Sequence, residues 1–430
     1  MKVFGLLGRG LVSCITGSVC AEYLGHRRIP LRATVLPDGT PARAACGLMV
    51  QTIHPDGTVW ASRGYHLYRL APGAACFRRV LRMPCPLGKA WMGHFAFVRD
   101  HFHRPDFVDA FQLRSGAWLV FSGGFVFRRG VDERRFQKVH RFRKWGLGIG
   151  RGLRPTGFVQ MRSGSVLFGE YFRNSENGLV RLYASDDDGR TWPVRHTLAP
   201  GVARHVHALQ QDPYEGGLWL CTGDSNEHSF VAVSHDEGRT FERVGGGSQA
   251  WRVCKLLFTP THVCWGSDTN LPERRGFFRW ERACGRMEQT ALFDGPVLSA
   301  TILAGGTWVV GTDREGRTGL QWCYPEGCIP GVTEPDEHPS LWVSVDGLSW
   351  KRLKLWRWLE AARPAFGVPQ FAFGDGAPML AMTCLNMEEY DGRLFLIRET
   401  DLRTGHGASS VLEAAGEPET ATAKRYPPCE

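Results

Sequence analysis

Lysine is scarce in this chain. Eight of its 52 basic residues are lysine, which leaves 44 arginines. The arginines run along the whole length, so the net charge of +9 is not gathered into the stripe expected of a nucleic-acid reader. Nucleic acid is not an expected partner. Arginine's planar fork suits carboxylate or phosphate oxygens. An acidic ligand therefore stands beside the plainer reading of an arginine-rich coding habit. The 13 cysteines are odd in number, and no C-x-x-C pair occurs. That excludes a zinc module or a regularly spaced disulfide framework, and scattered thiols fit a reducing compartment. No apolar stretch approaches the ~20 residues of a membrane helix, so no span is expected. The start, "MKVFGLLGRGLVSCITGSVC", has a mild apolar run broken by Arg9 and matches a signal peptide poorly. A cytoplasmic location is the expectation, with periplasm or secretion as the alternative.

Glycine (52) and tryptophan (15) are abundant, which suits an all-β protein with many tight turns. Internal repeats sharpen this. "YASDDDGRTWPV", "AVSHDEGRTFERV" and "WVSVDGLSWKRL" share one phrase: strand, Ser-x-Asp, glycine turn, aromatic, strand. Its residues are Ser185, Asp187, Gly189 and Trp192, then Ser234, Asp236, Gly238 and Phe241. The third copy, Ser344, Asp346 and Trp350, is one residue shorter. The serines lie 49 and 110 residues apart, about one and two periods. A second phrase, a small turn and then an apolar strand, recurs seven times between "DGTVWASRG" and "APMLAMTCLN".

Repeats of several short strands indicate a β-propeller of four-stranded antiparallel blades, with seven blades favoured over six. First strands are expected near Cys46, Phe107, Arg154, His205, Trp251, Pro296 and Phe366. The last blade lacks a fourth strand. "PLRATVL" near Leu31 is expected to supply it and close the ring, which removes exposed sheet edges. This divides the chain into an N-terminal segment with the closing strand (1–45), a propeller (46–402) and a disordered tail (403–430). "WCYPEGCIPGVTEPDEHPS" reads as a loop inserted in the sixth blade.

Ser-x-Asp-x-Gly-x-Thr-Trp resembles the Asp-box, the bacterial neuraminidase repeat of sialidase-like propellers. The resemblance implies blade turns. It does not by itself imply an activity, because the motif recurs in lyases, other glycosidases and receptor domains. Sialidases use three arginines for a substrate carboxylate, a tyrosine nucleophile paired with glutamate, and an acidic proton donor. "RRIP" at Arg27–Pro30 is the match to their Arg-Ile-Pro phrase. Seven blades instead of six argue against simple transfer.

Blade geometry sorts the polar residues. The start of a first strand and the end of a second strand share one face of the disc, and the Asp-box turn lies on the other. Its carboxylates are therefore expected to hold backbone N–H groups. The opposite face collects a catalytic set of Glu170, Tyr171, His205, His207 and Asp224. It also collects a substrate-binding set of Arg154, Asn174, Gln249, Trp251, Arg252, Asp268, Asp313 and Glu315. Such convergence at a propeller mouth marks a site. Glu170 is the preferred acid and Arg252 the preferred partner of a substrate carboxylate. His205 and His207, two apart on a strand, point to one side. They could bind a divalent metal with Asp224 or Glu170, act as a base and its orienting partner, or be hydrogen-bonded pocket histidines. No cofactor is certain. "RDHFHR" at Arg99–Arg104 is a further basic loop.

The expected partner is an acidic oligo- or polysaccharide. Hydrolysis needs two carboxylates about 5–10 Å apart, and uronate β-elimination needs a base and a cation. The alternative is a non-catalytic glycan- or protein-binding propeller, for example in surface polysaccharide assembly. The sequence does not separate these readings.

Overall fold

The computed structural model describes residues 26–36, 38–84, 109–145, 152–269, 271, 275–313, 339–355, 368–372, 374–385, 387, 390 and 392–404. These form seven antiparallel sheets arranged as the blades of a propeller. The innermost strands are Met49–Ile53, Asp109–Gln112, Phe158–Gln160, Val206–Gln211, Val253–Phe258, Val297–Ile302 and Val368–Phe371. Each begins within four residues of its expected start. Leader, basic loop, sixth-blade insertion and most of the tail lie outside the described residues. Among the described residues no helix is long and apolar enough to cross a membrane.

Second strands such as Trp118–Ser122, Leu218–Thr222 and Trp308–Thr312 are buried along their whole length. Neighbouring blades cover both of their faces, so they read as continuous apolar runs without alternation. The core is correspondingly divided into seven apolar clusters, one between each pair of adjacent blades. The cluster joining blades 7 and 1 packs Leu380's neighbour Ala381 and Leu394 against Val50, Val59 and Phe77.

An N-terminal strand closes the ring, with a correction to its identity. Pro41–Cys46 pairs with Arg393–Arg398 as the fourth strand of blade 7. Arg32–Val35, within "PLRATVL", folds back over it as a fifth. The small buried side chains of Ala42 and Ala45 let the inner strand seat closely, whereas Arg32–Val35 is mostly exposed. Arg28–Pro30 pairs with Cys76–Arg82 on the outer rim of blade 1. The "RRIP" phrase therefore lies away from the mouth.

The Asp-box turns repeat one hydrogen-bond pattern. Ser185 Oγ donates to Asp187 Oδ1 (2.7 Å) and accepts from the Gly189 N–H (2.8 Å). Asp187 also accepts from the N–H groups of Arg190 and Thr191 and from the Thr191 hydroxyl. Ser234, Asp236 and Gly238 reproduce this, and Ser344, Asp346 and Gly347 do so in a shorter turn. Gly189 adopts φ +82°, where a side chain would be strained. Trp192, Phe241 and Trp350 pack into the adjoining inter-blade clusters. The other two carboxylates of "SDDDG" tie down neighbours. Asp186 pairs with Arg195 and Asp188 with the buried Arg128 of blade 2, both at 2.6 Å. Asp187→Ala is expected to cost about 1–2 kcal/mol of stability, the worth of a few charge-assisted bonds near solvent. Urea denaturation checks the cost, and chemistry at the mouth should be unaffected.

Candidate functional site

The mouth of blades 3 to 5 gathers a compact polar group. Four innermost strands carry a β-bulge near their mouth-side start, at Gln51, at His207, at Cys254–Lys255 and at Leu298. A bulge adds a residue and re-aims side chains. His205 and His207 project from the start of the blade 4 strand. Their Nε2 atoms are 3.1 Å apart. Asp224, just after the second strand of the same blade, places Oδ2 3.4 Å from His205 Nε2 and Oδ1 3.4 Å from His207 Nε2. Arg204 Nη1 lies 3.1 Å from Asp224, and Arg252 bridges Asp224 (3.7 Å) and Asp268 (3.4 Å). Cys254 Sγ is 3.0 Å from Asp268 and 3.6 Å from His207 Nδ1.

The backbone is shaped around this group. Asp224 holds φ +97°, a costly conformation for a non-glycine residue. Gln249 secures it by donating to the Asp224 carbonyl (3.0 Å) and to Asn226 (3.2 Å). Gly223 is required for space, since a Cβ there would lie 2.3 Å from His207 Cε1 and 2.9 Å from Arg252 Cγ. Tyr171 rests against His205 at 4.2 Å between ring centroids, and the Arg154 guanidinium lies 5.7 Å from the Tyr171 ring. Arg154 and Tyr171 keep partial exposure, while His205, His207, Arg252 and Asp268 are buried.

Charge states follow from burial and neighbours. Burial alone would push the Asp224 carboxyl up, but His205, His207 and Arg252 outweigh it and hold it well below the usual range. Burial pulls His207 down to about 4 against the opposing pull of Asp224. Burial pushes the Tyr171 phenol up to about 12 although Arg154 pulls the other way. It also raises the Cys254 thiol well above its ordinary value, with Asp268 adding to the effect.

His207 gives a pH dependence of definite sign. The unfolded histidine takes up a proton near 6.5 and the folded one only near 4. This contribution to stability is therefore complete above pH 6.5, falls as pH drops toward about 4, and is level below. Urea midpoints across that window should show the slope, and His207→Gln should flatten it.

The group has the chemistry of a metal site. His205 Nδ1 lies 3.1 Å from the Phe172 carbonyl, which can only accept. With Nδ1 donating there, Nε2 is the ring nitrogen turned toward His207 Nε2 and the Asp224 carboxylate. Either a proton on His207 Nε2 or a cation satisfies that convergence. Bonds of about 2.0–2.2 Å at tetrahedral or octahedral angles place ligand atoms roughly 3.0–3.5 Å apart, and the separations here are 3.1, 3.4 and 3.4 Å. His205, His207 and Asp224 could hold a metal, as could His207, Cys254 and Asp268. Both histidines have the outer-shell partners that orient ligands, the Phe172 carbonyl for one and Cys254 with Asp268 for the other.

Other residues expected at the site are placed elsewhere or hold it from outside. Glu170 is buried and committed to Arg143 (2.8 Å), the Arg181 N–H and the Tyr183 hydroxyl. It faces away from Tyr171, as alternation along a strand requires. Asn174 binds the Gly178 backbone and the Arg204 carbonyl and so braces the approach to His205. Trp251 packs on Trp265 between sheets, at 5.1 Å between centroids, and covers Gly245. Asp313 holds the equivalent second-strand position in blade 6, buried, its N–H bonded to Pro296. Glu315 lies outside the described residues. Arg204, Gly223 and Cys254 belong to the group although the sequence did not single them out. Two had signals: Arg204 directly precedes His205, and Cys254 stands two residues from Arg252 on the same strand side.

No family model matches the chain, and no curated protein sequence matches it. Its fold is similar to an oligogalacturonate lyase in complex with manganese, at 11% identity and a TM-score of 0.53, covering 87% of this chain and 98% of that one. An oligogalacturonate lyase from Vibrio parahaemolyticus (10% identity, TM-score 0.49, 86% and 96% covered) is also similar. So is YCF48 from Cyanidioschyzon merolae (10%, TM-score 0.45, 86% and 98%). The chain is an all-β, seven-bladed propeller, and at such identity its likeness to the manganese-bound lyase is one of fold.

Proposed function

We propose that the protein is a carbohydrate-active propeller that cleaves an acidic oligo- or polysaccharide by β-elimination at a cation-assisted mouth. The observation that carries this reading is the convergence of His205, His207 and Asp224 at metal-ligand separations beneath Tyr171 and Arg154. A divalent cation held there would neutralise a uronate carboxylate and so acidify the adjacent C5–H bond. Arg154 is placed to pair with the same carboxylate or with the next sugar's. As its phenolate, which Arg154 and a bound cation would favour against burial, Tyr171 would take the C5 proton and return it to the departing C4 oxygen as the C4–O bond breaks. Arg204 and Arg252 hold Asp224 ionised and fixed. The fold likeness to a manganese-bound oligogalacturonate lyase agrees with this reading.

Hydrolysis is less well supplied. It needs a protonated acid facing a second carboxylate. Glu170 is committed to Arg143, and Asp224 is held ionised. Incubation with polygalacturonate and other polyuronates tests the proposal. Elimination gives an unsaturated uronate that absorbs in the ultraviolet and depends on added Mn²⁺. Reducing ends without that absorbance would turn the reading to hydrolysis. Binding with neither product would turn it to a glycan-binding propeller.

A further inference from the structure

A row of arginines crosses the outer part of blade 1. Arg28 lies directly opposite Arg78, and Arg78 directly opposite Arg69, on three adjacent antiparallel strands. Directly opposed residues share a sheet face, with Cβ atoms about 4.5–5.5 Å apart. The other face, with Ile29, Tyr68 and Phe77, packs against blade 7. The arginine row therefore looks toward blade 2, and its inner end is Trp60, which Arg69 overlies at 6.0 Å. All three arginines are exposed.

Like charges opposed across a sheet destabilise it, so this row calls for a counter-charge. Among the described residues none of the three arginines forms an ion pair. Asp56 feels Arg69, but its two oxygens accept from the Thr58 N–H (2.7 Å) and hydroxyl (3.0 Å). Other neighbours add positive charge. On the facing blade, Phe127 packs into the cluster between blades 1 and 2, and its cross-strand partner is Lys138. Next to the row, His66 is held down at about 4 by burial and by Arg79 and Arg82.

We propose that this arginine row is a docking surface for an anionic polysaccharide chain, separate from the mouth. The three side chains leave the sheet at the strand spacing of about 4.8 Å and offer guanidinium forks to successive carboxylates of a linear polymer. The choice of an acidic glycan as occupant rests on the proposed function. Single-stranded nucleic acid would favour exposed aromatic platforms, and a membrane surface would favour apolar anchors. Among the described residues of blade 1 the exposed large apolar residue is Val80 alone. The surface would hold a long substrate while the mouth works on one linkage, a gain of effective concentration.

The test uses the full-length protein on immobilised polygalacturonate with a salt gradient, and a neutral glucan as control. The wild type should be retained by polygalacturonate only. Arg28→Gln/Arg69→Gln/Arg78→Gln should bind about tenfold more weakly, as three solvent-exposed contacts warrant, with a thermal midpoint equal or higher at low salt. His207→Ala, which removes the mouth's share of binding, should lose clearly less retention than the triple variant. Unchanged retention of the triple variant overturns the proposal. So does a loss seen only toward duplex DNA or phosphatidylserine vesicles, or an equal loss in His207→Ala. If no polyuronate is cleaved yet arginine-dependent retention persists, the elimination reading falls and this surface stands.

Discussion

His207→Ala is expected to abolish cation binding at the mouth and to cut turnover of polyuronate by about 10²–10⁴-fold, the range for losing a positioned acid–base or ligand group. His207 is the hinge of the group, because one ring nitrogen faces His205 and Asp224 and the other faces Cys254 and Asp268. Its loss leaves His205 and Asp224 in place with two ligands, too few to hold the ion. The fold should survive, since the inter-blade clusters do not include this side chain. Calorimetric titration with Mn²⁺, ultraviolet progress curves and a melting curve separate these effects. A variant that binds manganese and turns over normally would remove His207 from the chemistry.

Asp224→Asn is expected to produce the largest fall in stability of any single change at the mouth. The carboxylate is the shared counter-charge of Arg204 and Arg252 and the oxygen partner facing both histidines, all of them buried. Removing one partner from a buried ionic group leaves uncompensated charge and typically costs about 3–5 kcal/mol. Asparagine isolates the charge effect because it fills the same volume and tolerates positive φ, which Asp224 adopts at +97°. The denaturation midpoint should drop accordingly, and cation binding should be lost with it. A midpoint within experimental error of the wild type would mean that the arginines find other partners.

The fold was readable in the sequence because its signals are local. Glycine turns and apolar second strands repeat once per blade, the Ser-x-Asp turn marks three of the seven, and buried second strands must be apolar on both faces. Ring closure was readable only in part. Two N-terminal strands compete for the same edge, and the choice of Pro41–Cys46 depends on how closely small side chains seat against Arg393–Arg398. At the mouth, blade phase alone brought His205, His207, Asp224, Arg252 and Asp268 together. Phase gives a position along a strand but not the side to which a residue turns. Glu170 thus faces Arg143 while its neighbour Tyr171 faces His205. Gly223 and Cys254 were not singled out because their roles, space for an imidazole and a hydrogen bond to Asp268, exist only across strands. "ASDDDGRTW", which carries three carboxylates in a row, belongs to the turn and to the contacts between blades.

The proposed chemistry needs a divalent cation at the mouth of blades 3 to 5, where His205, His207 and Asp224 could hold one. Crystals of the protein grown with manganese test this most directly, through the anomalous difference map. The expected result is a peak bonded to His205 Nε2, His207 Nε2 and the Asp224 carboxylate, at about 2.0–2.3 Å. A map with no peak among these three side chains, in a crystal whose solvent contains saturating manganese, would contradict it.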